Sequence, residues 1–167
     1  MTILDILKYP DERLKQQSTD VTEFSEELHH FLSDLEETLR AGPGGVGIAA
    51  PQVGHFKRIA IVDVSAKPKI NHNGCMILIN PEIKTWDGMK IGREGCMSVP
   101  DYTGNVIRAE KITMQACNPQ GELLNFECEG YEARAVQHEL DHLDGLLFLD
   151  RLVSRRTDLI KRKVYQK

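Results

Sequence analysis

The stretch Gln137–Gly145 reads QHELDHLDG and sets His138 and His142 four residues apart, with Glu139 beside the first. On a helix, positions i and i+4 share a face about 6 Å apart, so the two imidazoles can grip one cation. Glu139 is turned by about 100° and reaches a water on that cation without ligating it. Histidines that hold and a glutamate that moves protons are the parts of a metal-assisted hydrolase. The bland alternative is a chance match on a polar helix. Val136, Leu140 and Leu143 make the helix partly apolar, and buried imidazoles need partners, which favours the metal.

Two imidazoles rarely suffice, so a third ligand is needed. One protease class continues as H-E-x-x-H-x-x-G-x-x-H; Gly145 fits that pattern but Phe148 cannot ligate. A downstream glutamate, as in His₂Glu sites, is also missing. After Glu139 the sequence has no Glu, no Cys and no His except His142, which leaves only aspartates, Asp144, Asp150 and Asp158 among them. The ligand is therefore expected upstream, among four cysteines. Cys75 and Cys128 read as small core residues, and Cys117 ends a strand at a turn. Cys96 stands in GREGCMSVP, Gly92–Pro100, read as a shaped loop and not a packed strand. A thiolate suits a polar, cation-rich setting. A plain loop cysteine is the alternative; the unpartnered histidine pair favours ligation by Cys96.

The glycine stretch from Gly42 to Gln52 satisfies G-x-G-x-x-G at Gly42, Gly44 and Gly47. A dinucleotide fingerprint must follow a strand and open a helix; here a helix precedes, and Pro51 makes a following helix unfavourable. Glycines also admit a second backbone at close range. Val46–Ala49 can then pair with an extended peptide by strand addition, with Gln52 offering an amide donor at its end. A tight turn with a surface glutamine remains open on this evidence.

The elements that must position these residues follow from periodicity. Residues 1–20 read as an extended arm with a turn at Tyr9-Pro10-Asp11. Phe24, Leu28, Phe31, Leu32, Leu35 and Leu39 give a one-faced helix ended by Gly42-Pro43, with His29 and His30 on its solvated side. Arg58–Val64, Met76–Ile79, Ile112–Ala116 and Leu124–Cys128 read as strands, the last two joined by a turn at Asn118–Gly121. Glu132–Leu143 reads as a helix stopped by Gly145, and a final helix is expected over about 154–165, with a mobile end. Strands cluster between helices instead of alternating with them. The expected class is α+β: mostly antiparallel sheets packed around a central helix that carries the histidine motif, in a single domain over residues 1–167.

Three stretches together, GVGIAAPQ (45–52), EGCMS (94–98) and QHELDHLDG (137–145), resemble the peptide deformylase family in order and spacing. The likeness extends to the YPDERL start and the overall length. It implies a metallo-amidohydrolase that removes the N-formyl group from the initiator methionine of new polypeptides and releases formate. It further implies Cys96, His138 and His142 as ligands of one divalent ion, Glu139 as general base and then acid, and Gln52 with the Met97 N–H as donors to the formyl oxygen. Val46, Gly47 and Gly95 would carry the substrate backbone. Met97 stands where the family more often has Leu, which leaves a backbone donor intact. Helical offsets from His138 add Tyr131 and Ala135 as lining for the methionine side chain, with Arg134 near the mouth. Ligand softness admits Zn²⁺, Ni²⁺ or Co²⁺; the resemblance points to Fe²⁺.

Composition sets the remaining bounds. The chain has 167 residues and net charge −4, which suits one core and does not advertise nucleic-acid binding; no DNA partner is expected. No apolar run approaches the roughly 20 residues of a membrane span, and no secretion signal is expected. Cysteines without a Cys-x-x-Cys pair suit a reducing, cytoplasmic setting. The basic stretch Arg151–Lys167 is either a solvated helix face or a contact to ribosomal RNA. The rival functions are a zinc endopeptidase, which lacks its third ligand, and a metal-stabilised binding module, which should have lost Glu139 or Gln52.

Overall fold

The computed structural model describes residues 2–42, 45–152 and 154–162. Its helices are α1 (Glu26–Ala41), α2 (Gly130–Leu143) and the single turn α3 (Arg155–Asp158). Its strands are β1 (Gly47–Ala49), β2 (Ile59–Asp63), β3 (Cys75–Asp87), β4 (Lys90–Cys96), β5 (Val99–Arg108), β6 (Lys111–Cys117), β7 (Leu123–Glu129) and β8 (Leu159–Lys161). They form a five-stranded sheet in the order β1-β2-β3-β6-β7 and a three-stranded sheet in the order β4-β5-β8, antiparallel throughout. The α+β class and antiparallel sheets are as expected.

Helix α1 starts where Ser25 accepts the Leu28 N–H and ends where the Gly42 N–H returns to Leu39. Its stripe of Leu28, Leu32, Leu35 and Leu39 is buried; His29 and His30 are exposed, as expected. The stripe packs with Ile48, Ile59, Ile61 and Ile79. On the other face of the same sheet, Ala49, Ala60, Val62 and Leu78 pack with Ala133, Val136, Leu140 and Leu143 of α2. Strand β2 thus alternates between two helices, with period two. Both faces being covered, it reads as a continuous apolar run. Each of its fully buried isoleucines contributes roughly 1.5–3 kcal/mol of transfer free energy. A third cluster holds Cys96, Val99 and Val106 against Leu147, Phe148 and Leu149. Helix α2 therefore lies between the large sheet and the β4–β5 hairpin. It stops at Gly145, whose φ is +77° and where any Cβ would run into the Lys15 carbonyl.

Several expectations are corrected. Cys96 is the last residue of β4, in a hairpin closed by Met97 and Ser98, and not a loop residue. Glycines at 92, 95 and 104 and the charges between them hide an alternation that is present in the burial, with Glu94 and Cys96 turned inward. The helix expected over 154–165 is one turn followed by β8, which pairs with β5; residues 163–167 lie outside the described residues. Cys75 is exposed, because only the residues after it enter the core. Strand β3 runs well past Ile79, its second half held by β6 through two register shifts and not by burial.

Candidate metal centre

Three potential ligands meet where the two layers join. The Cys96 Sγ and one ring nitrogen from each of His138 and His142 all lie within 4.8 Å of one another, and all three residues are buried. The Cys96 sulfur is 3.4 Å from His142 Nε2. A tetrahedral ion with ligand bonds of roughly 2.3 Å to sulfur and 2.0–2.1 Å to nitrogen would set that edge at about 3.6 Å. The donor set, one soft sulfur and two imidazoles, fits a divalent first-row metal.

The surrounding groups fix the ligands in place. Glu94 Oε1 lies 2.8 Å from His138 Nδ1. A carboxylate can only accept, so Nδ1 carries the proton and Nε2 is left with its lone pair toward the site. Burial alone would raise the Glu94 carboxyl; two N–H groups of Arg108, with His138, overturn this and hold it well below the usual range. Arg108 also donates to Asp141 at 2.6 Å, and Arg151 donates to the same carboxylate. At His142 burial wins and holds the ring well below its ordinary value, as a neutral imidazole. At His138 burial also opposes charge, but the Cys96 sulfur and Glu94 outweigh it and push the ring above its ordinary value, so a proton on Nε2 would compete with an ion there.

Glu139 is 3% exposed, and its Oε1 has no hydrogen-bond partner among the described residues. His142 Nε2 is 3.9 Å away, on a ring that burial keeps neutral. A buried carboxylate oxygen left unpaired is costly and marks a place built for something further, as an ion with its water would be. Burial pushes the Glu139 carboxyl up to about 7, the range in which a proton is both taken and given near neutral pH.

Gln52 closes the site from the 3₁₀ turn Ala50–Val53. Its Oε1 accepts the Ala49 N–H at 2.9 Å, while Nε2 donates to Ser98 Oγ at 3.0 Å and points at Cys96 Sγ from 3.5 Å. The Ser98 N–H points at the same sulfur from 3.4 Å. The N-terminal arm ties these pieces together: the Leu7 N–H donates to the Gln52 carbonyl and the Tyr9 N–H to the Ser98 carbonyl, both at 2.7 Å.

A cleft of about 520 Å³ opens onto this cluster, a size suited to a small ligand. Val46, Gly47, Gln52, Gly95, Cys96 and Met97 line one side. Tyr131, Arg134, Ala135, His138 and Glu139 of α2 line the other. His142 sits behind them, 2% exposed. All the residues singled out from the sequence thus converge on one place. Strand β1 is an edge of its sheet, so Gly47–Ala49 has one side free of strand partners. Gly47 is also pressed against the site: a Cβ there would lie 2.6 Å from Glu139 Oε2. Sequence reasoning missed Glu94, Arg108 and Asp141 as positioning groups. Glu94 and Asp141 stand inside the two motifs, where charged residues read as solvated.

Comparison with known proteins gives a consistent picture. A family model described as "Polypeptide deformylase" matches residues 3–158. A peptide deformylase of Acidobacterium capsulatum is 43% identical over 164 residues, covering 98% of this chain and 95% of that protein. One from Thermodesulfovibrio yellowstonii is 38% identical, covering 98% of this chain and 97% of the other. Among solved structures, the peptide deformylase of Thermotoga maritima superimposes with a TM-score of 0.84 at 36% identity, covering 92% of this chain and 100% of that one. A Met-Ala-Ser-bound class I type b peptide deformylase from Acinetobacter baumannii gives 0.84 at 36% identity, covering 90% and 99%.

Proposed function

The chain belongs to the polypeptide deformylase family, and we propose that it works as one catalytic domain with Cys96, His138 and His142 holding a divalent ion. It is a hydrolase that removes the N-formyl group from newly made polypeptides, and the family is metal-dependent. The observation that carries the site reading is the convergence of one sulfur and two imidazoles beside the unpaired Glu139 oxygen.

A divalent ion bound there lowers the pKa of a water toward neutrality and polarises a carbonyl, supplying a nucleophile at physiological pH. Glu139 takes the proton released by the attacking water. The new C–O bond forms as the formyl oxygen gains charge, and the Gln52 amide with the Met97 N–H holds that oxygen. Preorganised donors of this kind are worth about 3 kcal/mol each. Glu139 then gives its proton to the amine as the C–N bond breaks, leaving formate and a free N-terminus. The substrate backbone lies along Val46 and Gly47 and passes Gly95, and the methionine side chain enters between Tyr131 and Ala135. The A. baumannii protein is solved with Met-Ala-Ser bound, which supports a short peptide as the ligand of this cleft.

The ion is Fe²⁺ on the strength of the family resemblance, with Zn²⁺, Ni²⁺ and Co²⁺ as substitutes of suitable softness. A cytoplasmic setting follows from the substrate and from four free cysteines. No helix among the described residues is long and apolar enough to cross a membrane. Ribosome contact rests on charge alone, with Arg156 and Lys161 exposed near the C-terminus. It predicts salt-sensitive co-sedimentation. The functional test is formate release from formyl-Met-Ala-Ser by anaerobically prepared, Fe²⁺-loaded protein. Glu139→Gln should keep the ion and lose roughly 10²–10⁴ in rate; near-normal activity in that variant, or cleavage of internal peptide bonds instead, contradicts the reading.

A further inference from the structure

The rim of the cleft carries two cations that this chemistry does not use. Strand β8 adds to the edge of β5, with Tyr102 opposite Lys161 and Thr103 opposite Ile160. The Arg162 N–H extends the ladder to the Asp101 carbonyl at 2.8 Å. This register sends the Arg162 side chain across β5 onto β4. Its Nη2 lies 2.8 Å from the place a Cβ on Gly95 would occupy, so the tip of the guanidinium rests against the residue next to Cys96. Arg93, two residues earlier on β4, lines the same cleft.

The third arginine of the cleft is already neutralised. Arg134 donates to Glu94 at 2.7 Å and to the Val106 and Lys90 carbonyls. Among the described residues, neither Arg93 nor Arg162 forms an ion pair, and both are exposed. Two guanidiniums without a paired counter-charge among the described residues thus line the cleft in a chain of net charge −4. A guanidinium offers a planar fork of donors that matches a carboxylate. An extended peptide advances about 3.3–3.6 Å per residue, which brings the residues just after the methionine past Gly95.

We propose that Arg162, supported by Arg93, positions a carboxylate of the substrate two or three residues after the formylmethionine. Formyl peptides bearing that carboxylate are then bound in preference to their neutral isosteres. The carboxylate is either an acidic side chain or the free C-terminus of a short peptide. This inference rests on the deformylase reading. It gives the C-terminal strand a role in substrate choice, since β8 is what places Arg162.

The test uses metal-loaded protein and two matched pairs of peptides. One pair is formyl-Met-Ala-Asp-amide against formyl-Met-Ala-Asn-amide; the other is formyl-Met-Ala-Ser as free acid against its amide. KM should be lower for the acid by about fivefold in at least one pair, the scale of one exposed ion pair, with kcat matched. The pair that shows it identifies the source of the carboxylate. Arg162→Gln should bring the ratio close to one, Arg162→Lys should restore part of it, and Arg93→Gln should shrink it. Added salt should shrink it too. A ratio does not depend on the active fraction of enzyme, so partial misfolding of a variant cannot mimic the result. Ratios near one in both wild-type pairs overturn the inference, as does a ratio unchanged by Arg162→Gln. No formate from any of the four peptides overturns the deformylase reading, and this inference with it.

Discussion

Glu94→Gln should separate the metal site from the residues that hold it in shape. Glu94 accepts from Arg108 Nε and Nη2 at 2.9 Å each, from Arg134 Nη1 at 2.7 Å and from His138 Nδ1 at 2.8 Å. The Glu94 and Arg108 side chains are each only 5% exposed. The glutamine keeps one acceptor, gains two donors and removes the charge that two guanidiniums face. Breaking a buried pair in this way costs about 3–5 kcal/mol, or about 10 °C in Tm for a chain of this length. His138 also loses the carboxylate that fixes its tautomer, which typically costs about 10–100-fold in metal affinity. Asp141→Asn is the matched control. It disturbs Arg108 and Arg151 but makes no hydrogen bond to His138. Calorimetry should show both variants destabilised, while competition against a chelator should show the large affinity loss only in Glu94→Gln. If Glu94→Gln holds metal as tightly as wild type, the positioning argument is refuted.

Two further outcomes follow from the geometry. Gly47→Ala should cut deformylation sharply while leaving metal content intact, because its Cβ would fall 2.6 Å from Glu139 Oε2 and displace that carboxylate; activity and bound metal measured on the same sample check this. Asp63 is hydrogen-bonded by Ser65 and paired with Arg40 at 2.8 Å, which lowers its carboxyl from 3.8 to about 2. A depressed folded value means stability that is present above pH 4 and lost as pH falls toward 2. Arg40 is half exposed, so the contribution is at most about 2 kcal/mol. Asp63→Asn should be less stable than wild type by up to that amount at pH 7 and should converge with it near pH 2 in urea titrations.

The sequence revealed the site residues better than the frame around them. His138, Glu139 and His142 are legible because a helix converts spacing into direction, and α2 is a regular helix of 14 residues. Gly47 and Gln52 are legible as a close backbone approach with a donor beside it. The setting of Cys96 was misread because β4 hides its period. Its inward residues are Glu94 and Cys96 and its outward ones include glycine and Arg93, so hydropathy does not alternate although burial does. Glu94 is buried only because Arg108, Arg134 and His138 arrive from distant positions, and no local pattern reports that. The second half of β3, Glu82–Asp87, is likewise held by pairing with β6 and stays largely exposed. A helix is expected from the sequence near the C-terminus; the free edge of β5 recruits Leu159–Lys161 as a strand instead.

The most direct measurement is X-ray absorption on the zinc-loaded protein, with Cys96→Ser alongside. One sulfur at about 2.3 Å and two imidazole nitrogens at about 2.0–2.1 Å are expected in the wild type, and the sulfur should vanish in the variant. A metal shell without sulfur, or one whose sulfur survives the loss of Cys96, would contradict the account.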